Sequence, residues 1–142
     1  MKTSTNGLDI IKSFEGLKLK AYNDSTGTAT IGYGHTKGVK LGQTITAAQA
    51  LVFLAEDVVS VENSINKYGW SLSQNQFDAL VSLCYNTGAG ILVNFATMLK
   101  ADPNQEGVTN KMLKYVYSNG SFLQGLANRR AKEVALYKKK IQ

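Results

Sequence analysis

The chain has 142 residues, 44% hydrophobic and 18% charged, with 16 Lys and Arg against 10 Asp and Glu for a net charge of +6. That length suits one domain with its own core, and that composition excludes a disordered or fibrous protein. The single cysteine, Cys84, rules out an internal disulfide and, beside a single histidine, a Cys/His zinc site. The positive balance favours a polyanionic partner, but the basic residues are scattered apart from Lys138-Lys139-Lys140. Without the aromatic-plus-basic pattern of a nucleic-acid platform, nucleic acid is not the expected partner. No apolar run approaches the roughly 20 residues of a membrane span, and Met1 to Gly7 lacks the apolar stretch of a secretory leader. Neither export by this chain nor stable membrane association is therefore expected.

Leu8, Ile11 and position 15 share one helical face after an Asn6 cap, which predicts a short amphipathic helix over about 7–15 stopped by Gly16. From Lys18 to Thr36, Gly27, Gly32 and Gly34 punctuate β-branched and aromatic residues. This predicts a small antiparallel sheet, the only strand-like region, turning at Asn23-Asp24-Ser25-Thr26-Gly27. Thr46-Ala-Ala-Gln49 is a capping box, followed by Leu51, Leu54, Val58, Val61 and Ile65 on one face of a long helix over about 47–66. Ser73-Gln-Asn-Gln76 repeats the capping pattern and opens a helix carrying Leu80, Val81 and Cys84, whose thiol should be buried, and Gly88 and Gly90 end it. Beyond Pro103, Met112, Leu113 and Val116, then Leu126, Val134, Tyr137 and Ile141, predict two further helices separated by a turn at Asn119-Gly120. The expected architecture is α+β within a single domain over 1–142. A sheet lobe (about 17–45) is joined by the connecting helix to a helical lobe (about 70–142).

Two carboxyl groups in unlike surroundings stand out. Glu15 closes the apolar face of the first helix, where burial and the negative end of the helix dipole both disfavour an anion. Asp24 sits in a polar turn and should stay ionised, able to position a water. An acid that protonates a leaving oxygen and a carboxylate on the opposite face is the pairing that glycosidic bond cleavage requires. If Asp24 to His35 forms a hairpin, Thr28, Thr30, Gly32 and Gly34 share one face, kept low enough by its glycines for a polymer to approach.

The run from Glu15 through Asp24 and Thr30 to His35 closely resembles the active-site segment of the phage-type lysozymes, glycoside hydrolase family 24. The likeness continues through Gln76-Phe-Asp-Ala-Leu80, Tyr85-Asn-Thr-Gly88 and Gly125-Leu-Ala-Asn-Arg-Arg130. It implies a lysozyme-like fold with a cleft between lobes and a peptidoglycan substrate, and no metal or cofactor. Glu15 is then expected as general acid, Asp24 as the opposing carboxylate and Thr30 as the hydroxyl that helps hold the attacking water. Gly34, Tyr85, Asn86 and Thr97 are expected along the glycan, and His35 is expected to pair structurally with Asp57 rather than to catalyse. Arg130 lies four residues from both Leu126 and Val134 on the apolar face of the last helix, so its guanidinium needs a buried or cleft-side partner. The resemblance points to Glu15, with Arg129 the alternative donor.

The activity these features imply is inverting hydrolysis of the β-1,4 bond between N-acetylmuramic acid and N-acetylglucosamine by a monomer. Synthesis would occur in the bacterial cytoplasm, with release to the wall through a phage-encoded pore. Two rivals remain open: a lytic transglycosylase, which needs the acid but no water-positioning pair, and a non-catalytic wall-binding module.

Overall fold

The computed structural model describes residues 1–140, so the expected helical position of Ile141 lies outside the described residues. Helix α1 spans Thr5–Glu15 and buries Gly7 and Ile11. It starts earlier than its apolar spacing predicts, with Ser4 at the N-cap and Asn6 already inside the first turn. Ser4 does not cap its own helix: its backbone N–H donates to Asp78 Oδ1 at 2.9 Å and its hydroxyl to Asp78 Oδ2. A long-range carboxylate thus replaces a local cap. Gly16, at φ +71°, ends α1 in a conformation that favours glycine.

Strands β1 (Lys18–Asn23) and β2 (Ala29–Gly32) pair antiparallel, Tyr22 opposite Thr30 and Asn23 opposite Ala29, with an irregularity between Lys18 and Tyr22. The hairpin turns at Asp24 to Thr28, as predicted. The expected run of β2 to His35 is corrected: the strand stops at Gly32. Gly32 and Gly34 have φ of +67° and +86°, and His35 folds back so that it and Ile31 exchange backbone hydrogen bonds of 2.9 Å. The glycines therefore make a tight turn rather than a flat strand face.

Helix α2 (Ala47–Asn66) has the predicted bounds, with both hydrogen bonds of the Thr46–Gln49 capping box formed. Ala50, Leu54, Val58, Val61 and Ile65 face the core, whereas Leu51 is 48% exposed. Stepping four residues back from Leu54 lands on Ala50, which takes the inward place that Leu51 was expected to hold. Helix α3 (Gln74–Thr87) has its own Ser73–Gln76 capping box, ends at Gly88, and is buried from Asn75 through Cys84. It is the central helix, with α1, α2 and α6 packed around it.

A 3-10 segment (Ala89–Asn94) and two short helices, α4 (Ala96–Ala101) and α5 (Glu106–Met112), follow. A second hairpin, β3 (Tyr117–Ser118) with β4 (Ser121–Phe122), then leads into α6 (Gln124–Lys138). The expectation of a single strand region is corrected here. Asn119 and Gly120 both have positive φ, the conformation that closes a two-residue hairpin, and the flanking Tyr-Ser and Ser-Phe pair across it. Lys138, Lys139 and Lys140 are exposed. A helical lobe built on α3 and α6 thus stands beside a small hairpin lobe that packs against α2.

Candidate active site

Glu15 is the last residue of α1, and Gly16 turns the chain directly into β1. Packing of α1 on α3 and α6 sets the carboxyl beside the last helix, leaving its side chain 22% exposed. Arg129 Nη1 reaches Glu15 Oε2 at 2.5 Å. The other oxygen, Oε1, faces Gly34, where a Cβ would sit only 3.1 Å from it. A side chain at position 34 would therefore obstruct the oxygen that Arg129 leaves free. Tyr85 borders the same space, its Cε1 3.9 Å from that Cβ position, and its hydroxyl donates to Tyr33 O at 2.7 Å. Burial raises the Tyr85 pKa well above the ordinary range, and the nearby charges of Asp57 and Glu15 add to it. The phenol is thus a neutral donor that clamps the Tyr33-Gly34 turn to α3.

The partner of Glu15 corrects one expectation. Arg129, not Arg130, meets it; both guanidiniums are buried, but they leave α6 in different directions. Arg129 also donates through Nη2 to Ser82 O at 3.0 Å and through Nε to Glu133 Oε2 at 3.2 Å. Arg130 turns away, donating through Nη1 to Tyr115 O and through Nη2 to Glu133 Oε2, both at 3.2 Å. Its Nε lies 2.6 Å from Glu133 Oε1, but misaligned for a hydrogen bond, so those atoms meet as an ion pair only. Burial pushes the Glu133 carboxyl up and the Arg130 guanidinium down, each opposed by the charge of the other. Glu133 and Ser82, whose hydroxyl donates to Glu133 Oε2 at 2.5 Å, were not singled out in the sequence. The spacing was available: Arg129 and Arg130 lie four and three residues before Glu133, on one face of a helix.

Asp24 is held by its own turn. Its Oδ1 accepts from Thr26 N–H at 2.9 Å, Thr26 Oγ1 at 2.7 Å and Thr28 N–H at 2.9 Å. The Thr26 hydroxyl first, and then the Thr28 amide, hold its carboxyl below the usual carboxylate range, so it is an anion at neutral pH. Thr30 is 4% exposed and donates to Thr28 O at 2.8 Å. Thr28 therefore braces both groups, its N–H on Asp24 and its C=O on Thr30, and the lone pairs of the Thr30 hydroxyl are left to accept from a water.

His35 Nδ1 lies 2.8 and 3.0 Å from the two oxygens of Asp57, and its ring stacks on Phe53 at 4.2 Å. With His35 6% exposed, this joins the Gly34 turn to α2. Asn86 is exposed at the end of α3, and Thr97 is exposed on α4, where no hydrogen bond ties it to the residues around Glu15 among those described. A larger cavity of about 630 Å³ lies at the opposite end of α3, between Ser73, Asn104 and Lys138, and shares no residue with this site.

The geometry therefore offers a carboxyl fixed from behind by a buried arginine, a second carboxylate and a hydroxyl braced by one residue, and a side-chain-free approach at Gly34. The phage lysozyme family matches residues 12–133 of this chain. The endolysin of Bacillus phage PZA is 41% identical over 142 residues, covering 96% of this chain and 55% of its own length. The endolysin of Acyrthosiphon pisum secondary endosymbiont phage 1 is 37% identical, covering 96% and 98%. The chain thus spans about half of one of these relatives and nearly all of the other. The muramidase domain of SpmX from Asticaccaulis excentricus superposes with a TM-score of 0.88 at 33% identity, over 98% of this chain and 99% of that one.

Proposed function

The chain belongs to the phage lysozyme family, and from that premise we propose that it is an endolysin that hydrolyses the β-1,4 bond between N-acetylmuramic acid and N-acetylglucosamine in peptidoglycan. Glu15 protonates the bridging oxygen through Oε1. Asp24 and Thr30 direct a water to the anomeric carbon from the opposite side, which gives inversion. Arg129 keeps the Glu15 carboxyl in place, and Gly34, Tyr85 and Asn86 border the strand. Thr97 is the weakest of the expected glycan contacts, since among the described residues no hydrogen bond links it to this cluster. His35 and Asp57 hold the Gly34 turn and take no part in the chemistry.

The observation that carries this reading is the division between the two carboxyl groups. One is tied by a single oxygen with the other facing the Gly34 gap, while the second is a turn-held anion. The enzyme acts as a monomer in need of no cofactor, since acid, base-side carboxylate and hydroxyl all come from this chain. Among the described residues no helix is long and apolar enough to cross a membrane. On the same reading the protein is made in the bacterial cytoplasm and reaches the wall through a separate phage-encoded pore.

Glu15→Gln tests it, because the amide keeps the shape and cannot deliver a proton. Wall-clearing activity should fall by about 10² to 10⁴, the usual contribution of general acid catalysis, with the melting curve retained. Full activity would remove Glu15 from the mechanism. Mass analysis of the parent's products should show reducing ends, whereas anhydro ends would identify a transglycosylase and intact strands a binding module.

A further inference from the structure

We propose that Glu133 is a positioning residue for the acid: by holding one edge of Arg129 it restricts that arginine to a single oxygen of Glu15, and so keeps the carboxyl able to carry a proton. This rests on the reading of Glu15 as general acid given above. Among the described residues no hydrogen bond joins Glu133 to Glu15, so its influence passes through Arg129.

A guanidinium left alone with a carboxylate binds it through two parallel donors, and that pairing favours the anion. Arg129 is not alone. Its Nε donates to Glu133 Oε2 at 3.2 Å and its Nη2 to Ser82 O at 3.0 Å, which leaves Nη1 for Glu15 Oε2. The guanidinium also lies over the Phe14 ring, 5.8 Å from its centroid, so its plane is confined as well as its edges. Ser82 closes the brace, because its hydroxyl donates to the same Glu133 oxygen that Arg129 and Arg130 reach. Without Glu133, the Arg129 Nε and the Ser82 hydroxyl both lose their anchor, and the plane is free to turn two donors toward Glu15. Charge acts in the same direction as geometry. Glu133 and Glu15 share one guanidinium, so a negative charge on the first opposes a negative charge on the second.

The other groups around Glu15 do not supply this effect. From α3 it faces Tyr85, whose phenol burial keeps neutral. The Gly34 turn brings no unpaired charge, since His35 is committed to Asp57 on α2, and on α1 itself Lys12 pairs with Asp9 at 3.4 Å. Around Glu133, the charges that bear on it are Arg130 and Arg129 of its own helix, while α3 presents the Ser82 hydroxyl and the Cys84 thiol, which is pushed up to about 12 and is neutral. Burial pushes the Glu133 carboxyl up, and the two guanidiniums and the Ser82 hydroxyl counter it, holding the carboxylate that the brace requires. Arg129 is thus divided between two carboxyl groups, one sealed in the core and one 22% exposed beside the Gly34 gap.

The test is the pH dependence of kcat/KM on soluble peptidoglycan fragments for the parent, Glu133→Gln and Glu133→Asp, with a thermal melt of each. The alkaline limb reports loss of the acid's proton. In Glu133→Gln, which keeps the shape and loses the charge, that limb should move about one pH unit lower, so that on the limb the variant is about tenfold slower than the parent at the same pH. In Glu133→Asp, which keeps the charge, the limb should stay with the parent's even though the melt falls. If Glu133→Gln fails to fold, Glu133→Met joined to Arg130→Met replaces the buried pair with apolar groups of similar volume, a change such sites tolerate, and should move the limb in the same direction. A limb that stays with the parent's in a folded variant lacking the Glu133 charge, or that moves equally in Glu133→Asp, overturns the positioning role and leaves Glu15 standing as the acid. Full activity in Glu15→Gln overturns the acid and the brace with it.

Discussion

Glu15 and Asp24 are nine residues apart in the chain and are held in opposite ways. Glu15 is gripped from behind by a side chain 114 positions away, itself fastened to Glu133 and Ser82 in the core. Asp24 is gripped by residues two and four places along its own turn, in the open. Buried ion pairs lose hydration and are retained where a fixed geometry matters, whereas an exposed turn holds its carboxylate by short hydrogen bonds that survive alongside water. The contrast suits the two roles. On the proposed mechanism the proton donor needs one orientation, and the water-directing anion needs solvent beside it.

The comparison can be broken most severely at Glu133. Glu133→Ala leaves Arg129 with Glu15 as its one carboxylate partner and Arg130 with none among the described residues, both arginines still buried. Removing one member of a buried charge cluster costs about 3–5 kcal/mol. Urea unfolding should show a loss of that order, and a loss under about 1 kcal/mol would mean that the arginines find other partners.

A smaller effect is expected at the link that joins the two regions. His35→Asn and Asp57→Asn, combined in a double-mutant cycle of thermal melts near neutral pH, should show a coupling of about 1.5–3 kcal/mol, the range for hydrogen bonds to a charged group. Simply additive losses would mean that the 2.8 Å contact does not tie the Gly34 turn to α2.

The mildest change falls on the exposed carboxylate. Thr26→Val removes the hydroxyl that does most to hold the Asp24 carboxyl low. A depressed carboxyl stays ionised until pH falls through its folded value, so raising that value should make activity fade at a higher pH on the acid side, with little change in stability. An acid limb that does not move would show that the Asp24 charge is not what the reaction requires.

What could be read from the sequence follows the same divide between near and far. Both capping boxes, the Gly16 and Gly88 stops, the Asp24 turn and the bounds of α2 rest on contacts within about four residues, and all are found where expected. The second hairpin was legible at Asn119-Gly120, but its strands are two residues each, too short to show alternation between helical patterns. The 3-10 segment and α4 lack a 3.6-residue period for the same reason of length. Periodicity marked Arg130 as buried, which it is, yet it could not say which of two adjacent arginines reaches across to α1. That choice depends on how α1, α3 and α6 cross; Glu133 stood at helical spacing from both arginines, but its burial follows only from the way the helices meet.

Glu15 rides on α1, which packs on α3 and α6, while Asp24 rides on the hairpin lobe that packs on α2; residues 16–23 join them along the chain, and Tyr85 ties the Tyr33-Gly34 turn across to α3. The two halves of the proposed machinery are thus mounted like the jaws of a caliper, and the gap between them is set by how the lobes lie rather than by either jaw. The gap is open to spectroscopic measurement because Cys84 is buried and its thiol is pushed up to about 12, leaving it unreactive toward labels at neutral pH. Spin labels on cysteines introduced at Ser13 and Ser25 would report the jaw width directly. A distance distribution that narrows when wall fragments are added would show a working caliper, and one that stays fixed would show jaws set at a single opening.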